Sequence, residues 1–349
     1  MVIVILVIIG LSVLILGHEA GHFFAARAFG LKVDEFGFGF PPRLFAKRKG
    51  ETEYSFNWLP FGGFVKIAGE EDVASGEFGK LESLPLNEKN HYFFFQPAWK
   101  RFLVIASGVI VNFLIGWFLI SFVFMVGSAP LLAVRGVQRN SPAEKAGILP
   151  GDIIEHYTVA KNFIDFVNQN RGLPITFQIK RDSRDLNFTV VPKTDTALNE
   201  GALGVLLSES GIERHGVLSS LGEGFKQAAY ASVAIVTTLY ALIKNLLLHG
   251  SLLAGVVGPI GIVSVAEQTG KIGLVYLLQL IGLISINLAV INLIPFPALD
   301  GGRLFLILVE RIKGSPIPFK FQAWANRFGF ILLLLLMTFV TIRDIAQWF

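Results

Sequence analysis

The stretch Gly17-His18-Glu19-Ala20-Gly21-His22 interrupts an apolar run that extends from Met1 to Gly30. From about Val2 to Phe29 that run is long enough to cross bilayer hydrocarbon as a helix, at about 1.5 Å per residue. On a helix, His18 and His22 stand one turn apart and project the same way, so two imidazoles can grip one metal ion. Glu19 leans aside, where a carboxylate can take a proton from water. An ionisable cluster inside a membrane-length apolar segment is costly and marks a functional site by default. The same residues also fit two packing histidines beside a satisfied carboxylate.

The composition agrees with a membrane setting. Of 349 residues, 53% are hydrophobic and 16% charged, and the mean hydropathy is +0.60. Soluble domains rarely look like this, whereas multi-span membrane proteins do. A formal charge of +4, with no dense basic tract interleaved with aromatics, argues against nucleic acid as a partner. The chain has no cysteine. Disulfides and thiolate metal sites are therefore excluded, and any metal must be held by His, Asp or Glu. The N-terminal run lacks a basic leader and a small-x-small cleavage signal, so it reads as a retained span.

Downstream, Lys32, Arg43, Lys47, Arg48, Lys49, Lys66, Lys100 and Arg101 make residues 31–100 basic. The positive-inside bias places this segment in the cytoplasm and the N-terminus outside. Phe36-Gly37-Phe38-Gly39-Phe40-Pro41-Pro42 and Tyr54–Lys66, with Phe61, Gly62 and Gly63, are aromatic, Gly-rich and partly alternating. They predict short strands folded against or into the membrane face, or else a cytoplasmic hairpin. His91 to Arg101 predicts an interfacial helix, and Phe102 to Val126 a second span in which Asn112 could serve as interhelical glue. From about Leu131 to Leu207 the pattern is that of a small β-rich module. It has short helices after Ser141 and at 161–170, and alternating runs at 175–181 and 186–191 joined at Asp182-Ser183.

Residues 228–248 carry few charges and could span or lie at the interface. Ile272 to Ile294 is a clear span, and Asp300 follows it. The interfacial reading of 228–248 brings Asp300 to the level of His18 and His22, so it is preferred, conditional on a shared metal site. Pro295 and Pro297 break the helix in Asn292-Leu293-Ile294-Pro295-Phe296-Pro297-Ala298-Leu299-Asp300-Gly301-Gly302. A broken helix at membrane depth is tolerated where it lines a cavity; a kinked helix end with an exposed Asp300 is the alternative. The basic connector from Arg303 to Arg327 reads as internal, and Phe328 to Ile342 as a short last span, or one continuing to Phe349.

Taken together, these residues resemble the site-2 protease family of intramembrane zinc metalloproteases, and within it the bacterial regulator-of-sigma-E protease group. His18-Glu19-Ala20-Gly21-His22 is similar to its HExxH, and Asn292 to Gly301 to its NxxPxPxLDG. Ser141 to Ile154 resembles the SPAxxAGLxxGDxI stretch of a circularly permuted bacterial PDZ domain, and Gly255 to Ile262 the segment before the third span. The AGPxxN of the second span is replaced by Ala106-Ser107-Gly108-Val109-Ile110-Val111-Asn112, and a single PDZ-like module stands where the best-studied members have two.

The resemblance implies an α-helical polytopic membrane protein of about four spans, with membrane-associated β-hairpin segments and one inserted extracytoplasmic PDZ-like β+α domain. Its parts are 1–126, a PDZ-like 127–210, an interfacial 211–271 and a C-terminal membrane part 272–349. The implied enzyme is a zinc metalloendopeptidase of a bacterial inner membrane, with its active site toward the cytoplasmic side. It would perform site-2 cleavage of single-span proteins such as anti-sigma factors or signal-peptide remnants. Zn²⁺ would be held by His18, His22 and Asp300, with Glu19 as catalytic base. Asn287, Asn292, Pro295, Pro297, Gly37, Gly39, Phe61, Gly62 and Gly63 would face substrate. Membrane lipid and a peptide C-terminus at the PDZ-like module, near Leu203-Gly204-Val205, complete the partners. Two other classes stay open: a PDZ-bearing scaffold, which would tolerate Glu19→Gln, and a metal or proton transporter, which should show inverted repeats.

Overall fold

The computed structural model describes residues 2–70, 85–181, 184–195, 201–249 and 258–346. The turn expected at Asp182-Ser183 and the Gly255–Val257 part of the segment before the third span lie outside them. The chain divides into two compact units. One comprises Met1–Leu119, Phe225–Ile262 and Ile281–Phe349; the other comprises Ile120–Gly224 and Val263–Leu280.

In the first unit, α1 (Val2–Ala28) is followed by two long antiparallel strands, β1 (Val33–Lys49) and β2 (Thr52–Ile67). Each strand bends and contributes two segments. Val33 pairs with Ile67 and Phe38 with Gly63, while Arg43 pairs with Asn57 and Lys49 with Thr52. Phe36 also faces Tyr54, and Gly37 faces Ser55. The segments therefore lie side by side in the order 43–49, 52–57, 33–38, 63–67, which leaves 63–67 as a free edge among the described residues. Glu35, on the central segment, ties the outer two together through Arg43 at 2.7 Å and Lys66 at 3.3 Å. The strands expected at 36–42 and 54–66 are thus present, as parts of longer ones.

The interfacial helix expected over 91–101 does not form. After the single turn α2 (Leu86–Lys89) the chain makes a 3₁₀ turn, Phe93–Phe95, and α3 then runs from Ala98 to Val126. Pro97 is the cause: it biases Gln96 toward extended backbone, and Gln96 has ψ 149°. α3 crosses α1 closely. A Cβ on Gly21 would stand 2.6 Å from the Ser107 carbonyl oxygen, so the altered second-span motif still supports backbone-to-backbone contact. Farther along, α8 (Leu274–Leu293) ends at the proline-rich break, and α9 (Asp300–Lys313) and α10 (Phe319–Ala346) follow. α10 starts nine residues before the expected Phe328, because Lys320 and Arg327 extend the helix rather than belonging to a connector. Its 28 residues are ample for a span.

In the second unit, β3 (Ser128–Val137), β4 (Ile153–Ile154), β5 (Ile175–Arg181), β6 (Arg184–Val190) and β7 (Val205–Ile212) form one sheet in the order β6-β5-β4-β3-β7. Two helices belong to it, α4 (Pro142–Lys145) and α5 (Ala160–Gln169). Ser141 caps α4 by accepting from the Glu144 N–H. Phe163 and Val167 of α5 join Leu132, Ile154, Ile179 and Leu203 in the core. Asp152, almost wholly buried, accepts two 2.6 Å hydrogen bonds from Arg181 and one from the Leu149 N–H. The β-rich module read from the sequence is this sheet with its helices.

α6 (Val217–His249) and α7 (Pro259–Ile272) complete the chain. Within the first unit, Phe225 of α6 packs on Phe113 and Trp117. Among the described residues, five helices are long and apolar enough to cross a membrane: α1, α3, α6, α8 and α10, of which α6 has the lowest hydropathy.

Candidate metal centre

The helix α1 is continuous through the His-Glu pair, so His18 and His22 share a face and their rings stand edge to face, 4.8 Å between centroids. From almost three hundred residues away, Asp300 arrives at the start of α9. Its Oδ2 lies 2.9 Å from His18 Nε2 and 3.3 Å from His22 Nε2, and the two Nε2 atoms are 3.2 Å apart. Both imidazoles are buried. Asp300 sits in the first turn of α9, where the helix dipole favours a carboxylate.

Each ring is held by its far nitrogen. His22 Nδ1 donates to the Val104 carbonyl at 2.8 Å, which leaves Nε2 with a lone pair in the neutral ring. His18 Nδ1 lies 3.2 Å from the Asn112 side-chain amide, whose Oδ1 is buried and has no partner among the described residues. A half-turn of the nearly isosteric amide sets Oδ1 against the His18 Nδ1–H, satisfying both groups and freeing Nε2. Two imidazole lone pairs and one carboxylate oxygen then face a common point. One cation satisfies all three, and this hard oxygen and nitrogen set is one zinc accepts. The pocket tolerates no added bulk: a Cβ on Gly108 would come within 2.7 Å of His22 Cε1 and 2.8 Å of His18 Cε1.

Glu19 is half-buried on the side of α1 that meets the sheet. A Cβ on Gly63 would be 3.6 Å from Glu19 Cγ and 3.3 Å from Leu16 Cδ2, so the free edge 63–67 runs past Glu19. The structure therefore brings Gly63 to the site. The small size of Gly37 and Gly39 is already used within the sheet, by the Phe64 ring and by the Leu59 and Asn57 carbonyls. Gly62 abuts the Phe40 ring, and the Phe61 side chain is outside the described set. Asn287 and Asn292 are half-buried on α8, and Pro295 and Pro297 lie in the break. Among the described residues, none of these four hydrogen-bonds the His18, His22 and Asp300 cluster.

The match to known proteins covers this whole arrangement. Residues 6–336 fit Peptidase family M50. The chain belongs to that family. Relatives extend over nearly its full length. A Clostridium perfringens protein bearing the name zinc metalloprotease is 36% identical, with 98% of each chain covered. A Rhizobium meliloti protein of like name is 33% identical over 97% of this chain and 95% of its own. The regulator of sigma-W protease RasP of Bacillus subtilis is 29% identical over 99% of both. This M50 peptidase is accordingly a zinc metalloprotease of the site-2 protease family, and its several long apolar helices are those of a multi-pass membrane protein.

Two features of the site were not read from the sequence. Asn112 joins helices as expected, but it does so at the site itself: its side chain meets His18 of α1, while its backbone carbonyl accepts from Ser285 Oγ at 2.7 Å. Glu70, just past β2, forms an ion pair with Arg303, one turn after Asp300. The isolated residues carry no motif that joins them.

Proposed function

We propose that this peptidase cleaves single-span membrane proteins at bonds within or beside the bilayer, with His18, His22 and Asp300 holding Zn²⁺ and Glu19 acting as general base. The observation that carries the reading is the convergence of His18 Nε2, His22 Nε2 and Asp300 Oδ2 beside a free strand edge. Zinc held there supplies Lewis acidity toward the scissile carbonyl. Glu19 takes the proton of the attacking water and passes it to the leaving amide nitrogen. The edge 63–67 offers unpaired backbone groups on which an unwound substrate segment can lie as an added strand, antiparallel or parallel, next to Glu19. Asn287 and Asn292, with the break at Pro295 and Pro297, form the opposite side of the substrate path in this reading.

The second unit is read as PDZ-like. β7 is an edge strand, and between it and α5 lies a groove of about 430 Å³ lined by Phe163, Ile164, Val167, Leu203, Val205 and Leu207. That shape suits an extended apolar peptide end. In the same reading the protein resides in a bacterial inner membrane, with the PDZ-like module outside and the metal centre toward the cytoplasm. Anti-sigma factors and signal-peptide remnants are the substrate classes.

The test is reconstitution of the purified protein with tagged single-span proteins in liposomes, followed by mass spectrometry of the products. Cleavage inside the apolar span, stopped by a chelator and restored by zinc, is the expected result. Cleavage confined to soluble loops would contradict the reading. A second test addresses the ring orientation: Asn112→Leu should weaken zinc binding by about 10–100-fold in a competitive chelator titration. Asn112→Asp, which keeps an acceptor for the His18 N–H, should retain most of the affinity.

A further inference from the structure

We infer that the last helix, α10, positions Asp300 through an inward seam of three residues, Gln322, Asn326 and Gly329. The inference rests on Asp300 being a zinc ligand. Spacings of four and three residues put the three on one helical face. Around them Trp324, Phe328 and Phe330 are exposed, while Gly329 is buried and Gln322 and Asn326 are half-buried, so the seam is the inward side of the helix.

Each member touches a different part of the segment that carries Asp300. Gln322 Nε2 donates to the buried Glu310 carboxylate at 3.3 Å and to the Ile317 carbonyl at 3.0 Å, fixing the far end of α9. Asn326 Oδ1 accepts the Ala298 N–H at 3.4 Å. Ala298 has φ +78°, a left-handed conformation that a residue with a Cβ keeps only when its surroundings hold it. Gly329 lies against the carbonyl side of that same peptide: a Cβ there would meet the Pro297 carbonyl oxygen and stand 2.6 Å from its carbon.

From the other side, a Cβ on Gly302 would be 2.8 Å from the Phe296 carbonyl carbon, and one on Gly301 would reach the Leu293 carbonyl oxygen at 2.5 Å. The break between α8 and α9 is therefore gripped between the first turn of α9 and Gly329 of α10. Asp300 is the residue immediately beyond it. Glycine is, proline apart, the least favourable residue in a helix interior, so its presence at 329 is explained by this contact and not by helix formation. The obstacle an added methyl meets is backbone, which has no rotamer to change.

The test measures zinc per chain at graded free zinc, together with unfolding temperature, for Gly329→Ala, Asn326→Ala and Asp300→Ala in the full-length protein. Gly329→Ala should raise the free zinc needed for half occupancy by about tenfold or more. Asn326→Ala should shift it in the same direction by less. Full zinc affinity in Gly329→Ala, with unchanged or higher unfolding temperature, would overturn the proposal, since that is what helix propensity alone gives. If Gly329→Ala does not fold, Asn326→Ala decides by the same criterion. Asp300→Ala separates the two layers. Zinc retained in that variant removes the ligand assignment itself, whereas zinc lost there but kept in both α10 variants removes only the positioning role.

Discussion

Replacing Glu19 by Gln is expected to lower the rate of peptide hydrolysis by about 10²–10⁴-fold while leaving zinc content unchanged. The amide keeps the size of the carboxylate but cannot take a proton from water at neutral pH. Glu19 is not among the three groups that converge on the cation site, so its loss leaves the donor set intact. Substrate should also still bind, because the free edge 63–67 and its contact with α1 through Gly63 and Leu16 are untouched. A burst of trapped, uncleaved substrate with zinc at one per chain is the signature. If Glu19→Gln cleaved at the parent rate, proton transfer would have to be assigned elsewhere, and a scaffold role would gain ground.

Asp300→Ala should have the second large effect, of a different kind. Removing the carboxylate leaves, of the three converging donors found among the described residues, only the two imidazoles in a buried site. The loss in zinc affinity should exceed the roughly 10–100-fold typical of residues that merely orient ligands, and activity should fall with it. Excess zinc should restore part of the activity of Asn112→Leu, whose ligands all remain, and little of that of Asp300→Ala. Equilibrium zinc binding measured alongside initial rates distinguishes this pattern from that of Glu19→Gln, in which rate falls and affinity does not.

The parts of this site that are local in sequence were legible in it. His18 and His22 share a face because a helix repeats every 3.6 residues, and Pro295 and Pro297 cannot sit inside a helix without breaking it. The alternation at 175–181 likewise required a strand. What could not be read depends on how separate elements meet. Asn112 reaches His18 only because Gly21 lets α1 and α3 approach to backbone contact. The four-segment sheet brings 33–38 beside 52–57 with both running the same way, a pairing that no hairpin pattern announces. Charge misled at one place: Lys320 and Arg327 suggested a connector, yet they lie on α10, whose inward seam carries Asn326 and Gly329. Pro97 stands in the sequence, and its effect on Gln96, which takes extended backbone, is what keeps 91–101 from forming one helix.

The central claim is most directly tested by anomalous diffraction at the zinc edge from crystals of the purified protein. A single peak is predicted, with His18 Nε2 and His22 Nε2 at about 2.0–2.1 Å and an Asp300 carboxylate oxygen at about 2.0–2.2 Å. A zinc peak elsewhere, or one at the two imidazoles with the Asp300 carboxyl group out of reach, would contradict it.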